Sequence, residues 1–170
     1  HYAQITLTDK NWQPLGLASV TIESAFSWLT EHVLINDQQA QALVHGDFGL
    51  NNILVRGDDV SAILDLEFAH IGNPAYDLGY FYFMAERLAS WEGFLAAYTA
   101  GGMPLPDRKQ LDYNILFAAT RLAVQVAQTH VMFTTGTVTS LSTAEVVGMQ
   151  YLNESILRIA HALSRANADI

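Results

Sequence analysis

Residues 43–55, LVHGDFGLNNILV, place a His, an Asp and two Asn between two short apolar runs. A plain buried hairpin would need none of these polar groups. Asp and Asn favour turns because their side chains bond to nearby backbone. Loops held by regular elements are also where binding and catalytic side chains concentrate. The stretch therefore predicts a shaped polar loop that leads into a strand, and this loop is the first candidate for a functional site.

A small β-hairpin is predicted directly after this loop, over residues 53–66. NILV is typical of a short strand, RGDD has the Gly and Asp of a tight β-turn, and VSAILDLEF reads as the returning strand. Asp47 and Asn52 precede the first strand, and Asp65 closes the second. Antiparallel pairing should bring both ends together, so that two carboxylates and an amide oxygen converge. Such hard oxygen ligands suit Mg²⁺, which also takes phosphate and water.

The rest of the chain is predicted to be mainly helical, so the expected fold class is α+β with one small hairpin. Apolar residues recur at helical spacing in several stretches, which are separated by Gly, Pro and Ser/Thr-rich links. We expect a single domain over residues 1–170, with residues 1–18 loose. The predicted helices cover residues 19–34, a short polar piece at 38–43, and then 74–88, 90–100, 107–133 and 142–163.

Composition excludes several classes of protein. The 170 residues carry 17 acidic and 8 basic side chains, a formal charge of −9, so a nucleic acid should be repelled. There is no cysteine, which rules out disulfides and thiolate metal sites and suits a reducing compartment. No segment reads as a membrane span or a secretory leader, so we expect a cytoplasmic protein without a membrane partner.

Three linked motifs give the sequence a family resemblance. HGDFGLNNILV at 45–55 and ILDLEFAHIGNPAYDLGY at 63–80 follow the pattern H-G-D-x-x-x-x-N, then D-x-E, then G-[DN]-P-x-x-D-L. The chain therefore resembles the aminoglycoside phosphotransferase and choline kinase-like family. It is most similar to the branch related to the phosphotransferase domains found beside acyl-CoA dehydrogenases. The spacing of Asp47, Asn52 and Asp65 is also similar to that of kinase catalytic loops.

The resemblance implies a fold, a reaction and a set of roles. The fold is the C-terminal lobe of a protein-kinase-like phosphotransferase, and the reaction transfers phosphate from ATP, with Mg²⁺, to a hydroxyl of a small molecule. Asp47 is the implied catalytic base, or orients the acceptor hydroxyl. Asn52 and Asp65 are implied to hold the metal and its nucleotide. Structural support is expected from His45, Asp77 and Glu67.

The sequence departs from the family pattern in two respects. Relatives often carry a basic residue in the middle of the loop and a Gly before the key Asn, where this chain has Asn51. Asn tolerates a left-handed backbone, so we expect the turn to survive. Moreover, neither Lys10 nor Lys109 lies in a kinase-like strand, and no Gly-rich phosphate loop is found. We therefore expect the N-terminal nucleotide-clamping lobe to be absent from this segment, and the segment alone to be inactive.

Other functions stay open at this point. The loop could belong to a catalytically silent module that only binds a nucleotide or a partner within a larger protein. A hydrolytic metal site around His45, Asp47 and Asp65 is a weaker alternative, because further His and Asp ligands are missing. The acceptor is not defined by the sequence, although the acidic balance favours a cationic one. The apolar face left by a missing lobe could also support a homodimer.

Overall fold

The computed structural model describes residues 20–36, 41–88, 90–137 and 149–168. The chain divides into two compact units, one of His1–Val33 with Leu116–Ile170 and the other of Leu34–Ile115. All six candidate site residues belong to the second unit. The segment predicted to be loose at 1–18, and the predicted helix start at 142–148, lie outside the described residues.

The predicted hairpin is confirmed in the second unit. Strand β2 (Ile53–Arg56) pairs antiparallel with β3 (Asp59–Ile63), and Ile53 lies opposite Ile63. Gly57 closes the turn with φ +64°, a left-handed conformation that glycine adopts without steric cost. The second strand ends at Ile63 instead of residue 66, because the chain turns into a short 3₁₀ helix at Leu66–Phe68.

A second antiparallel pair was not expected. Strand β1 (Ala42–Val44) pairs with β4 (His70–Gly72), with Val44 opposite His70. The short helix predicted over 38–43 is therefore wrong at residues 42 and 43, and residues 38–40 lie outside the described part. Helix propensity is a weak preference, and here hydrogen bonding to a distant strand overrides it.

Helices α2 (Ala75–Leu88) and α3 (Trp91–Ala100) follow the strands and complete the support for the loop. Each begins with a side-chain cap. Asn73 Oδ1 accepts the N–H of Ala75 at 2.9 Å, and Ser90 Oγ accepts that of Gly93 at 3.0 Å. The core of these helices contains the apolar side chains of Leu78, Phe81, Tyr82, Ala85 and Trp91.

The long helix α4 (Arg108–Thr134) begins in the second unit. Gly79 of α2 lies directly against its backbone, since a Cβ at Gly79 would lie 2.5 Å from the carbonyl carbon of Asn114. Helix–helix contact at backbone distance requires a residue without a side chain. This packing fixes the direction of α2, which carries Asp77.

The first unit is helical in its described parts. Helix α1 (Val20–Glu31) packs against α5 (Met149–Asn167). Trp28 Nε1 donates to Asn167 Oδ1 at 3.1 Å across this contact. Among the described helices, none combines the length and hydropathy that crossing a bilayer requires. The mainly helical α+β prediction is confirmed.

Candidate active site

The base of the hairpin brings Asn52 and Asp65 to the same end. The backbone N–H of Leu64 donates to the carbonyl of Asn52 at 2.8 Å, which extends the ladder beyond β3. Asp65 is the next residue, so it leaves the hairpin beside Asn52. The Asn52 side chain is buried, whereas that of Asp65 is exposed. One fixed amide and one accessible carboxylate thus share this end of the ribbon.

Asn52 also contacts the loop that carries Asp47. Its Nδ2 donates to the Asp47 carbonyl at 2.9 Å and approaches the Oδ2 of the same residue at 3.5 Å. The first bond has ideal length, and the second is at the long limit for a hydrogen bond. The structure therefore places Asp47 and Asn52 in direct contact, with the Asp47 side chain partly accessible.

His45 connects the Asp47 loop to the residue before Asp65. Its Nε2 lies 2.8 Å from the Leu64 carbonyl, which can only accept, so Nε2 carries the proton. Its Nδ1 is then the acceptor of the Asp47 N–H, at 3.3 Å. A neutral imidazole satisfies both bonds, and His45 is buried with both ring nitrogens in use. It therefore fixes the backbone at both sides of the site.

Asp77 supports the loop from the first turn of α2. Its carboxylate accepts the backbone N–H of His45 at 2.6 Å and of Gly46 at 3.0 Å. Burial raises the pKa of Asp77, and these two N–H groups oppose that rise only in part. Since both carboxylate oxygens bind the loop backbone, Asp77 acts on the shape of the loop.

A close approach between two loops completes the scaffold. Gly46 has φ +86°, and a Cβ there would lie 2.5 Å from the Phe68 carbonyl oxygen. Asp65 is the only described non-glycine residue with positive φ, at 61°. Left-handed backbone costs an L-residue on the order of 1–2 kcal/mol, although Asp tolerates it better than most. Sequence reasoning missed this contact, whose only signal was the Gly before Asp47.

The donor set suits magnesium better than a hydrolytic metal site. Within the described ranges, no three His, Cys, Asp or Glu side chains are grouped so that they could hold a metal ion. The hydrolytic alternative thus lacks its ligand cluster. Asn52 and Asp65 offer hard oxygens, and Mg²⁺ needs only a few of these when phosphates and water complete its shell. Glu67 lies exposed in the 3₁₀ helix that follows Asp65.

The turn before Asn52 survives as expected, but Asn51 takes another conformation in it. Asn51 does not adopt the left-handed backbone that would replace a Gly, because Leu50–Asn52 form a turn of 3₁₀ helix. The Asn52 N–H donates to the Gly49 carbonyl at 3.0 Å and closes this turn. Among the non-glycine residues of the site, the left-handed one is Asp65 instead.

Comparison with known proteins gives a consistent match. The family model described as the phosphotransferase enzyme family matches residues 2–112. Acyl-CoA dehydrogenase family member 11 of Homo sapiens is 32% identical over 81 residues, which are 46% of this chain and 10% of that protein. Acyl-CoA dehydrogenase family member 10 of Mus musculus is 32% identical over 80 residues, 45% of this chain and 7% of that protein.

A solved structure supports the fold. A crystal structure from Ralstonia eutropha, provisionally named as an aminoglycoside phosphotransferase, superposes with a TM-score of 0.70 at 20% identity. The superposition covers 95% of this chain and 55% of that one. The kinase-like fold implied by the motifs is thereby confirmed. The chain spans about half of that structure and at most a tenth of the two mammalian relatives.

Proposed function

The chain belongs to the phosphotransferase enzyme family, and from this premise we propose that it carries the catalytic loop of a small-molecule kinase of the aminoglycoside phosphotransferase type. The enzyme would move the γ-phosphate of ATP to an acceptor hydroxyl with the help of Mg²⁺. The observation that carries the proposal is the hairpin base. There Asn52 contacts Asp47, and Asp65 directly follows the residue paired with Asn52.

Asp47 is assigned to the acceptor. Its carboxylate is partly accessible, and it would accept the hydroxyl proton or orient the hydroxyl for attack. Three residues hold Asp47 in position. The backbone of Asp47 bonds to the side chains of His45 and Asn52, and Asp77 binds the backbone just before it. A firmly held Asp47 favours phosphoryl transfer, because this reaction depends chiefly on positioning and charge neutralisation.

We assign Asn52 and Asp65 as ligands of the metal ion. Glu67 would contact the ion through a water molecule. The bound Mg²⁺ would neutralise charge on the phosphates and orient them. The Asn52 amide contributes by donating through Nδ2 to Asp47, which leaves the oxygen end for the cation. Asp65 contributes an exposed carboxylate on a backbone held by the pairing of its neighbour.

The acceptor is proposed to bind beside Phe48. This ring is partly exposed, lies next to Asp47, and packs on Phe81 with ring centroids 5.3 Å apart. An aromatic face beside an acidic loop favours an acceptor with an apolar or cationic body. The cysteine-free sequence suits a reducing compartment, and we place the reaction in the cytoplasm.

The proposal is tested by removing the Asp47 carboxylate in the full-length protein that carries this sequence. Asp47→Asn keeps the size of the side chain but can neither accept the proton nor hold its charge. ADP release with a panel of hydroxyl compounds should fall by roughly 10²–10⁴-fold in kcat. The KM for ATP should change little. Asp58→Asn at the exposed hairpin turn is the matched control. Unchanged turnover by Asp47→Asn would refute the assignment.

The second candidate is a silent binding module within a larger polypeptide. The match covers only about a tenth of the human relative, which suits the second part of this candidate, a place within a larger polypeptide. Calorimetry on the full-length protein separates the two candidates. Mg²⁺-dependent ATP binding without phosphate transfer to any acceptor would support the module.

A further inference from the structure

We propose that Asn51 is a positioning residue for the metal, because its side chain fixes the amide of Asn52 with the oxygen available to a cation. Gly49 supplies the space for this contact. The inference rests on the proposed function, in which Asn52 holds Mg²⁺. It gives roles to Gly49 and Asn51, two positions that the motif H-G-D-x-x-x-x-N leaves unspecified.

The amide of Asn52 is held at both ends. Asn51 Nδ2 donates to Asn52 Oδ1 at 3.0 Å, and Asn52 Nδ2 donates to the Asp47 carbonyl at 2.9 Å. A rotation of the amide by half a turn would break both bonds and point its NH₂ group toward the metal. An amide oxygen has two lone pairs, so Oδ1 can accept from Asn51 and still bind a cation. Asn51 therefore selects the ligating orientation before the metal arrives.

Gly49 lets the Asn51 side chain fold back to this position. A Cβ at Gly49 would lie 2.5 Å from Asn51 Oδ1 and 3.3 Å from Met84 Cε. The backbone of Gly49 is extended, with φ −129° and ψ 162°, which any residue adopts. Glycine is thus not required here by the backbone. It is required by the space that the Asn51 amide occupies, and a larger residue would displace that amide from Asn52.

The first test measures metal affinity in the full-length protein, with Mn²⁺ as a paramagnetic substitute for Mg²⁺ and with ATP present. Asn51→Ala removes the amide at an exposed position. It should raise the Kd for Mn²⁺ about tenfold, the lower range seen when the hydrogen-bond partner of a metal ligand is lost. The thermal midpoint should change little. An unchanged Kd for Mn²⁺ overturns the inference.

The second test is a double-mutant cycle between Gly49 and Asn51. Gly49→Ala should also weaken Mn²⁺ binding, but it should add little in the Asn51→Ala background, since the contact is already lost. Additive effects would overturn the inference. Gly93→Ala in the exposed first turn of α3 is the matched control and should leave the Kd unchanged. If the unaltered protein binds no Mn²⁺ in the presence of ATP, the proposed function itself fails. If the unaltered protein and Asn51→Ala bind Mn²⁺ equally well, only the role of Asn51 fails.

Discussion

The two ends of the β2–β3 hairpin use the same residue types and behave differently. The turn at Arg56–Asp59 contains a left-handed Gly and two Asp, and the base contains a left-handed Gly, Asp and Asn. At the turn every residue is exposed, and a Cβ at Gly57 would meet nothing within 4 Å. At the base a Cβ at Gly46 would overlap the Phe68 carbonyl.

The difference indicates that polar turn residues become a candidate site through the segments that pack around them. Both ends satisfy the backbone preferences of a turn. Only the base is joined to a second strand pair and to a helix, through His45 and Asp77. These contacts hold side chains in fixed positions, which catalysis requires and a solvent-exposed turn does not provide.

The largest difference is expected in turnover, between a substitution of Asp65 at the base and one of Asp59 at the turn. Asp65→Asn removes the charge, and Asn also tolerates left-handed backbone, so the fold should persist. In the full-length protein, turnover should fall by roughly 10³-fold, the scale of losing one electrostatic contact to the transition state. Asp59→Asn should leave turnover unchanged.

Asp65→Gly sharpens this test. It should also be inactive but more stable than Asp65→Asn by about 1 kcal/mol in chemical unfolding, because glycine relieves the left-handed strain. Full activity of Asp65→Asn would contradict the role of Asp65 in turnover. An Asp65→Gly variant less stable than Asp65→Asn would contradict the left-handed strain at this residue.

The next contrast compares alanine at the two left-handed glycines. Gly57→Ala should cost only the backbone strain, about 1–2 kcal/mol in the free energy of unfolding. Gly46→Ala adds overlap with the Phe68 backbone, so the total should be roughly 2–5 kcal/mol. Urea unfolding of both variants measures the difference. Equal losses would mean that the Gly46–Phe68 approach is not close in solution.

The smallest effect is expected in the pH dependence of stability. Burial raises the pKa of Asp77 above 3.8, so the native state binds this proton more tightly than the unfolded chain does. The stabilising contribution of this proton is therefore full below the ordinary pKa and is lost as pH rises through the raised one.

Asp77→Asn does not titrate at position 77, so this decline in the free energy of unfolding above pH 3.8 should disappear from its stability curve. The variant should also be less stable at neutral pH, since an amide offers only one acceptor for two N–H groups. Urea unfolding across acidic and neutral pH tests this, with Asp58→Asn as the control. Parallel curves for the protein and Asp77→Asn would show that Asp77 does not titrate as described.

The sequence predicts those parts of the molecule that depend on local chemistry. The hairpin follows from two short apolar stretches on either side of Gly57, and the start of α3 follows from Ser90, because turn and cap signals act within a few residues. The backbone proximity of Asn52 and the residue before Asp65 could also be predicted, since antiparallel pairing fixes which ends meet.

The missed features are contacts between distant segments. The pairing of β1 with β4, and the approach of Gly46 to Phe68, join residues that carry no mutual signal in one sequence. The 3₁₀ turn at Leu50–Asn52 depends on side-chain bonds around Asn52 that form only in the folded loop. Motif spacing supplied the candidate residues, and packing decided their backbone conformations.

The hydrogen bond from Leu64 to Asn52 has an evolutionary consequence. A strand alternates its faces with each residue, so one inserted or lost residue in the regular pairing between the hairpin base and Leu54 would move the Asp65 carboxylate to the opposite face. Beyond Leu54 the register already shifts, and the turn at Arg56–Asp59 is free of this constraint. Variation in length among natural relatives of this segment should therefore accumulate at the turn end of the hairpin, while the paired residues nearest the base keep a constant count.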